Sequence, residues 1–88
     1  MTKDLNIAQA RIFAATLRAL IDDYVAQLNE LNELAQTARR NGYHTAEKRW
    51  HHQIRDVRLN LDEAHTTLNG LLAEYPRIAR SSVNARQS

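Results

Sequence analysis

Apolar residues recur along two long segments of this chain at alternating steps of four and three residues. In the first segment they are Leu17, Ile21, Tyr24, Leu28, Leu31, Ala35 and Ala38. In the second they are Trp50, Ile54, Val57, Leu61, Ala64, Leu68, Leu71 and Tyr75. This heptad spacing places one apolar stripe along each helix, and two such stripes pack together as in a coiled coil. The pattern therefore predicts an all-α fold, an antiparallel two-helix hairpin.

The ends of the two helices follow from their local sequence. Asn41 and Gly42 favour the left-handed backbone that ends a helix. Thr2 and Thr45 are suitable N-caps, and Pro76 disfavours helix in the residue before it. The predicted boundaries are helix 1 over about 3–40, a turn over 41–44 and helix 2 over about 45–75, within a hairpin unit of residues 1–76.

The remaining residues, 77–88, are short, polar and basic. We expect them to form a flexible tail. A short helix around Ile78 and Val83 is the alternative interpretation.

Apolar residues outside the two stripes indicate that a single hairpin is not the final assembly. A widened apolar face is typical of a helix that is contacted from two sides, as in a bundle. Helix 1 is also longer than helix 2, which leaves residues 5–10 without a partner in a simple hairpin. We therefore predict self-association into a four-helix bundle or a larger helical oligomer, through an interface formed by Phe13, Leu20, Val25, Leu34, Leu59 and Leu72.

Positive charge is concentrated near the predicted turn. Residues 39–60 carry six lysines and arginines against two acids, whereas residues 1–38 carry three against five. Cations beside aromatic side chains are typical of surfaces that bind nucleic acid or acidic proteins. Trp50, however, belongs to the apolar stripe and is expected in the core. The predicted partner-binding surface, called the basic tip below, is Arg39, Arg40, Tyr43, Lys48, Arg49, His52 and Arg55.

Metal binding and catalysis find little support in the sequence. Asp62 and His65, and Glu47 and His51, have spacings that place two ligands on one helix face. Asp62 follows a stripe residue directly and should point outward, so we expect no metal ligands and no cofactor. Without cysteines or a glycine-rich phosphate loop, and with no concave pocket expected on a hairpin, we predict no catalytic residues and no enzymatic activity.

The functional expectation is a non-enzymatic interaction module. It self-associates and binds another macromolecule, as an adaptor, an assembly subunit or a small protein inhibitor. The alternative is a small dimeric nucleic-acid-binding regulator that uses the basic tip, and a lesser alternative is a bundle that binds a small ligand or metal near His65. No early apolar run resembles a signal peptide, and no stretch approaches the roughly 20 apolar residues of a membrane span. A cytoplasmic location without membrane partners is expected.

Overall fold

The computed structural model describes residues 6–78 of the chain. They form two long helices, α1 (Ile7–Arg40) and α2 (His44–Glu74), which pack against each other along their length. Strands are absent from these residues. The predicted all-α fold with two long packed helices is therefore confirmed.

The first helix begins later than its sequence suggested. Asn6 has extended backbone (φ −75°, ψ 168°), and its side chain accepts a hydrogen bond from the Gln9 backbone N–H at 2.8 Å. The Gln9 side chain accepts one in return from the Asn6 N–H at 3.4 Å. This reciprocal pair is a capping box, which satisfies two backbone donors at once. The expectation of helix from residue 3 onward is wrong at Asn6, while the predicted cap Thr2 lies outside the described residues.

The turn between the helices closes in three residues. Gly42 has a φ of 75°, which glycine adopts without the steric cost that a Cβ atom imposes. The N–H of Gly42 donates to the Arg39 carbonyl at 3.2 Å, and that of Tyr43 donates to the Ala38 carbonyl at 2.8 Å. These two bonds form a Schellman motif, which satisfies carbonyls at the end of α1.

The second helix begins at His44, one residue before the predicted Thr45. The Tyr43 carbonyl already accepts the first helical hydrogen bond, from the Glu47 N–H at 2.9 Å. No side chain caps this end. The turn is therefore 41–43 rather than 41–44, because the Schellman motif needs no further residue to reverse the chain.

Helix α2 ends at Glu74, before the expected proline stop, but helical backbone resumes at residues 76–78. The Ile78 N–H donates to the Tyr75 carbonyl at 3.0 Å, and only 3% of Ile78 is exposed. Ile78 lies three residues after Tyr75 and so continues the apolar stripe. This differs from the flexible tail expected from residue 77 onward. Residues 79–88, including Val83, lie outside the described part of the chain.

The core follows the two stripes. Every predicted stripe residue is buried or half-buried, and the main apolar cluster extends to Ala10 and Ala14, both fully buried. Residues 5–10 were expected to lack a partner on the second helix. Ala10 is nevertheless fully buried, in a cluster that also includes Ile78 from beyond Pro76.

Candidate interaction surfaces

The basic tip is formed by the end of α1, the turn and the first turns of α2. All seven predicted residues are exposed. Arg39 and Arg40 lie in the last turn of α1, where the partial negative charge of the helix end favours cations. The structure thus brings the predicted partner-binding residues to one end of the hairpin.

Within α2, periodicity divides the basic residues between two sides. Lys48, His52 and Arg55 follow each other at steps of four and three residues and share one side of the helix. Arg58, which is exposed and three residues further on, extends this side. Arg58 was not included in the predicted partner-binding surface, although the step of three residues from Arg55 identifies it. Arg49 lies toward the other side of α2.

The cations of the basic tip carry no carboxylate partners. Within residues 6–78 the carboxylate that approaches basic side chains is that of Glu47, which lies 3.9 Å from His44 Nδ1 and 3.5 Å from His51 Nε2, and these contacts are ion pairs only when the histidines are protonated. The Arg40 guanidinium donates to Thr37 Oγ1 at 3.4 Å, a neutral acceptor. The arginines and the lysine of the basic tip are therefore not engaged in ion pairs with the hairpin's own acids.

The two aromatic residues near the tip have different roles. Trp50 is half-buried at its stripe position, which suits a packing residue and not a free stacking platform. Tyr43 is 63% exposed and helps to line an open depression with His44 and Arg49. Tyr43 is thus the aromatic ring at the tip that a partner can reach.

The predicted oligomer interface is exposed at five of its six positions. Phe13, Leu20, Val25, Leu34 and Leu59 all present apolar surface to solvent. Leu72 differs, since it is half-buried and packs against the hairpin's own core. Ile12 is also exposed and was not predicted, and it lies on the side of α1 opposite the stripe.

One side of the hairpin carries a shallow groove between the helices. Leu17, Leu20 and Tyr24 of α1 line it together with Asn60, Glu63, Ala64 and Thr67 of α2. Leu20 and Thr67 each lie directly before a residue of their stripe. Residues spaced by seven lie on the same side of a packed helix, so the residues seven and fourteen positions from Leu20 and Thr67 share this side. We call this side the groove face, and it consists of Phe13, Leu20, Gln27 and Leu34 of α1 and Gln53, Asn60, Thr67 and Glu74 of α2.

Other chemistry has little geometric basis in the part of the chain that the structure describes. No group of three or more histidine and acidic side chains within residues 6–78 is placed to hold a metal ion. Asp62 and His65 are both exposed. Neither described helix is sufficiently long and apolar to span a bilayer.

Comparison with known proteins does not assign the chain to a family. No family model matches it, and no curated protein or solved structure matches it. Its function must therefore be inferred from the surfaces described above.

Proposed function

We propose that this chain is a non-enzymatic helical interaction module that self-associates and binds another macromolecule, as an adaptor, an assembly subunit or a small inhibitor. The observation that carries the proposal is the exposure of Phe13, Leu20 and Leu34 on one flank of α1. Large apolar side chains aligned in this way are typical of a helix that is covered by another helix.

The size of the hairpin supports self-association. A chain of 88 residues without cysteines has one apolar seam and no disulfide to offset the entropy of folding. Pairing of two hairpins into a four-helix bundle buries the exposed flank and adds a second seam. Symmetric dimers are the commonest closed assemblies, so a homodimer is the simplest form of the module.

The basic tip supplies the surface for the second macromolecule, and we place its partner among acidic proteins. Unpaired arginines speed association with an acidic surface and fix its orientation more than they raise affinity. Because the chain lacks cysteine, it needs no oxidising compartment for folding. This agrees with the cytoplasmic location that we propose.

Charge reversal tests the role of the tip. Arg39→Glu with Arg40→Glu should abolish capture of the acidic partner from a lysate of the source cells and leave helicity, measured by circular dichroism, unchanged. The matched control is Arg11→Glu with Arg77→Glu, which changes the net charge equally at exposed positions away from the tip. Equal binding by the two double variants would remove the tip from the interaction.

Nucleic acid is the alternative partner, favoured by the alignment of Lys48, Arg55 and Arg58 with an exposed tyrosine at the turn. Each phosphate contact releases counterions, so binding would weaken steeply with salt. Titration of labelled single-stranded and duplex oligonucleotides at increasing salt measures this slope, and loss of Arg39 and Arg40 should lower it by about two. A flat salt dependence would exclude the alternative.

A further inference from the structure

We propose that a second copy of this chain packs on the groove face in reversed orientation, so that the two turns lie at opposite ends of a four-helix bundle. This inference rests on the self-association proposed above and specifies its surface and its geometry. Its consequence is a dimer with one basic tip at each end.

The charges of the two sides of the hairpin favour the groove face. Of its eight positions, Glu74 alone is charged, Glu63 is the charged residue that also lines the groove, and Phe13, Leu20 and Leu34 are each close to 40% exposed. A second copy can therefore cover apolar surface there without desolvating many charges.

The opposite side of the hairpin is unsuited to packing on itself. It contains the flank of α1 that runs through Val25 and the flank of α2 that runs through Leu72, each with a seven-residue repeat. Four arginines and no acid lie at these flanking positions, so two copies placed there would repel each other. We call this side the arginine face, and it consists of Arg11, Arg18, Val25, Asn32 and Arg39 of α1 and His51, Arg58, His65 and Leu72 of α2.

The apolar residues of α1 favour the reversed orientation. Phe13, Leu20, Gln27 and Leu34 are spaced by seven residues, and the midpoint of this column lies next to Tyr24. When the second copy is reversed about that point, Phe13 lies level with Leu34 of the second copy, and Leu20 lies level with Gln27. Both large apolar ends of the column are then covered.

The charges of α2 favour the same orientation independently. Because three residues join the helices, residues equally far from the turn lie level, and the midpoint of the α1 column corresponds to Asn60 and Leu61. Arg49 precedes Asn60 by eleven residues, and Glu74 follows Leu61 by thirteen. Reversal therefore places Arg49, which borders the groove face, within two residues of the level of Glu74 of the second copy, about 3 Å along the axis, and symmetry repeats the pair.

The competing arrangement has both turns at the same end. It would bring the two basic tips, each with more cations than acids, to the same end of the bundle, about two helix diameters (roughly 20 Å) apart. Like charges so arranged oppose association.

The opposite-end arrangement separates the tips by about 50 Å, the length of a 34-residue helix at 1.5 Å per residue. A partner with two acidic sites at that separation would bind both tips with increased avidity.

Sedimentation equilibrium of the full chain tests the surface. We expect a dimer that Leu20→Glu weakens at least about tenfold, since the change places a charge in the interface. Val25→Glu is the matched control, because Val25 is 44% exposed, Leu20 is 38% exposed, and both lie on α1. It should leave the dimer intact, because Val25, although part of the interface predicted from the sequence, lies on the arginine face and not on the groove face. Leu34→Glu serves as a second interface variant if Leu20→Glu loses helicity.

Two measurements then test the orientation. A nitroxide at Asn41→Cys, the sole cysteine of that variant, should give a distance of about 50 Å between the copies, against about 20 Å, or two helix diameters, if the turns are adjacent. Arg49→Glu should weaken the dimer, and adding Glu74→Arg should restore it.

The possible failures can be told apart. A monomeric wild-type chain would overturn both this inference and the proposed self-association. A dimer that resists Leu20→Glu and Leu34→Glu, or one with adjacent turns, would overturn the inference alone.

Discussion

Ile78 offers the sharpest test of the fold, because its burial depends on helical structure beyond Pro76. Ile78→Ala removes three carbon atoms from a side chain that is 3% exposed and belongs to the main cluster. At about 0.8 kcal/mol for each buried methylene, the change removes about 2.4 kcal/mol of favourable transfer free energy. The cost of any cavity left behind would add to this. The greater helix propensity of alanine returns a few tenths of a kcal/mol, so we expect a net destabilisation of about 2 kcal/mol.

Ile12→Ala is the matched control for this measurement. It makes the same chemical change at the same end of the hairpin, but Ile12 is 67% exposed. One third of the transfer free energy is about 0.8 kcal/mol, and the gain in helix propensity offsets part of it. We expect the stability to change by about 0.5 kcal/mol or less.

Urea and thermal unfolding followed by circular dichroism at 222 nm compare the two variants. At about 4–8 °C per kcal/mol for a domain of this size, Ile78→Ala should lower Tm by roughly 8–16 °C. The chain concentration must be equal in all samples, since association raises the apparent stability by mass action. If the two variants lose similar stability, Ile78 does not pack on the hairpin and the reasoning from its burial is refuted.

Three further predictions concern the cap of α1 and the two glycines. Asn6→Ala removes the side-chain acceptor of the capping box and should cost about 1 kcal/mol, whereas Asn6→Ser should cost little; equal unfolding midpoints for the two variants would contradict the cap. Gly42→Ala should destabilise the turn by about 1 kcal/mol because its φ is 75°. Gly70→Ala, whose added Cβ meets no atom of the chain within 4 Å, should stabilise α2 by up to about 1 kcal/mol, and a loss of stability at that position would indicate that another chain occupies the space.

The sequence by itself determined the features that depend on residues close together in the chain. The steps of four and three residues defined both buried stripes, from Leu17 to Ala38 and from Trp50 to Tyr75. Gly42 marked the reversal of the chain, because a positive φ strongly favours glycine. The basic tip was also predictable, since Arg39, Arg40 and Lys48 are close in sequence and exposed charges need no partner to stay in water.

The tertiary structure decided what depends on contacts between the helices and on competition between local signals. The sequence predicted a cap at Thr2, whereas the capping box of Asn6 with Gln9 begins α1 at Ile7. The sequence left a flexible tail and a short helix around Ile78 as alternatives, and the burial of Ile78 in the cluster with α1 decides for helix at residues 76–78. The pairing of Leu20 with the α2 flank that carries Thr67 likewise follows from how the two stripes face each other. A helical repeat specifies which residues share a face, but only packing specifies which two faces meet.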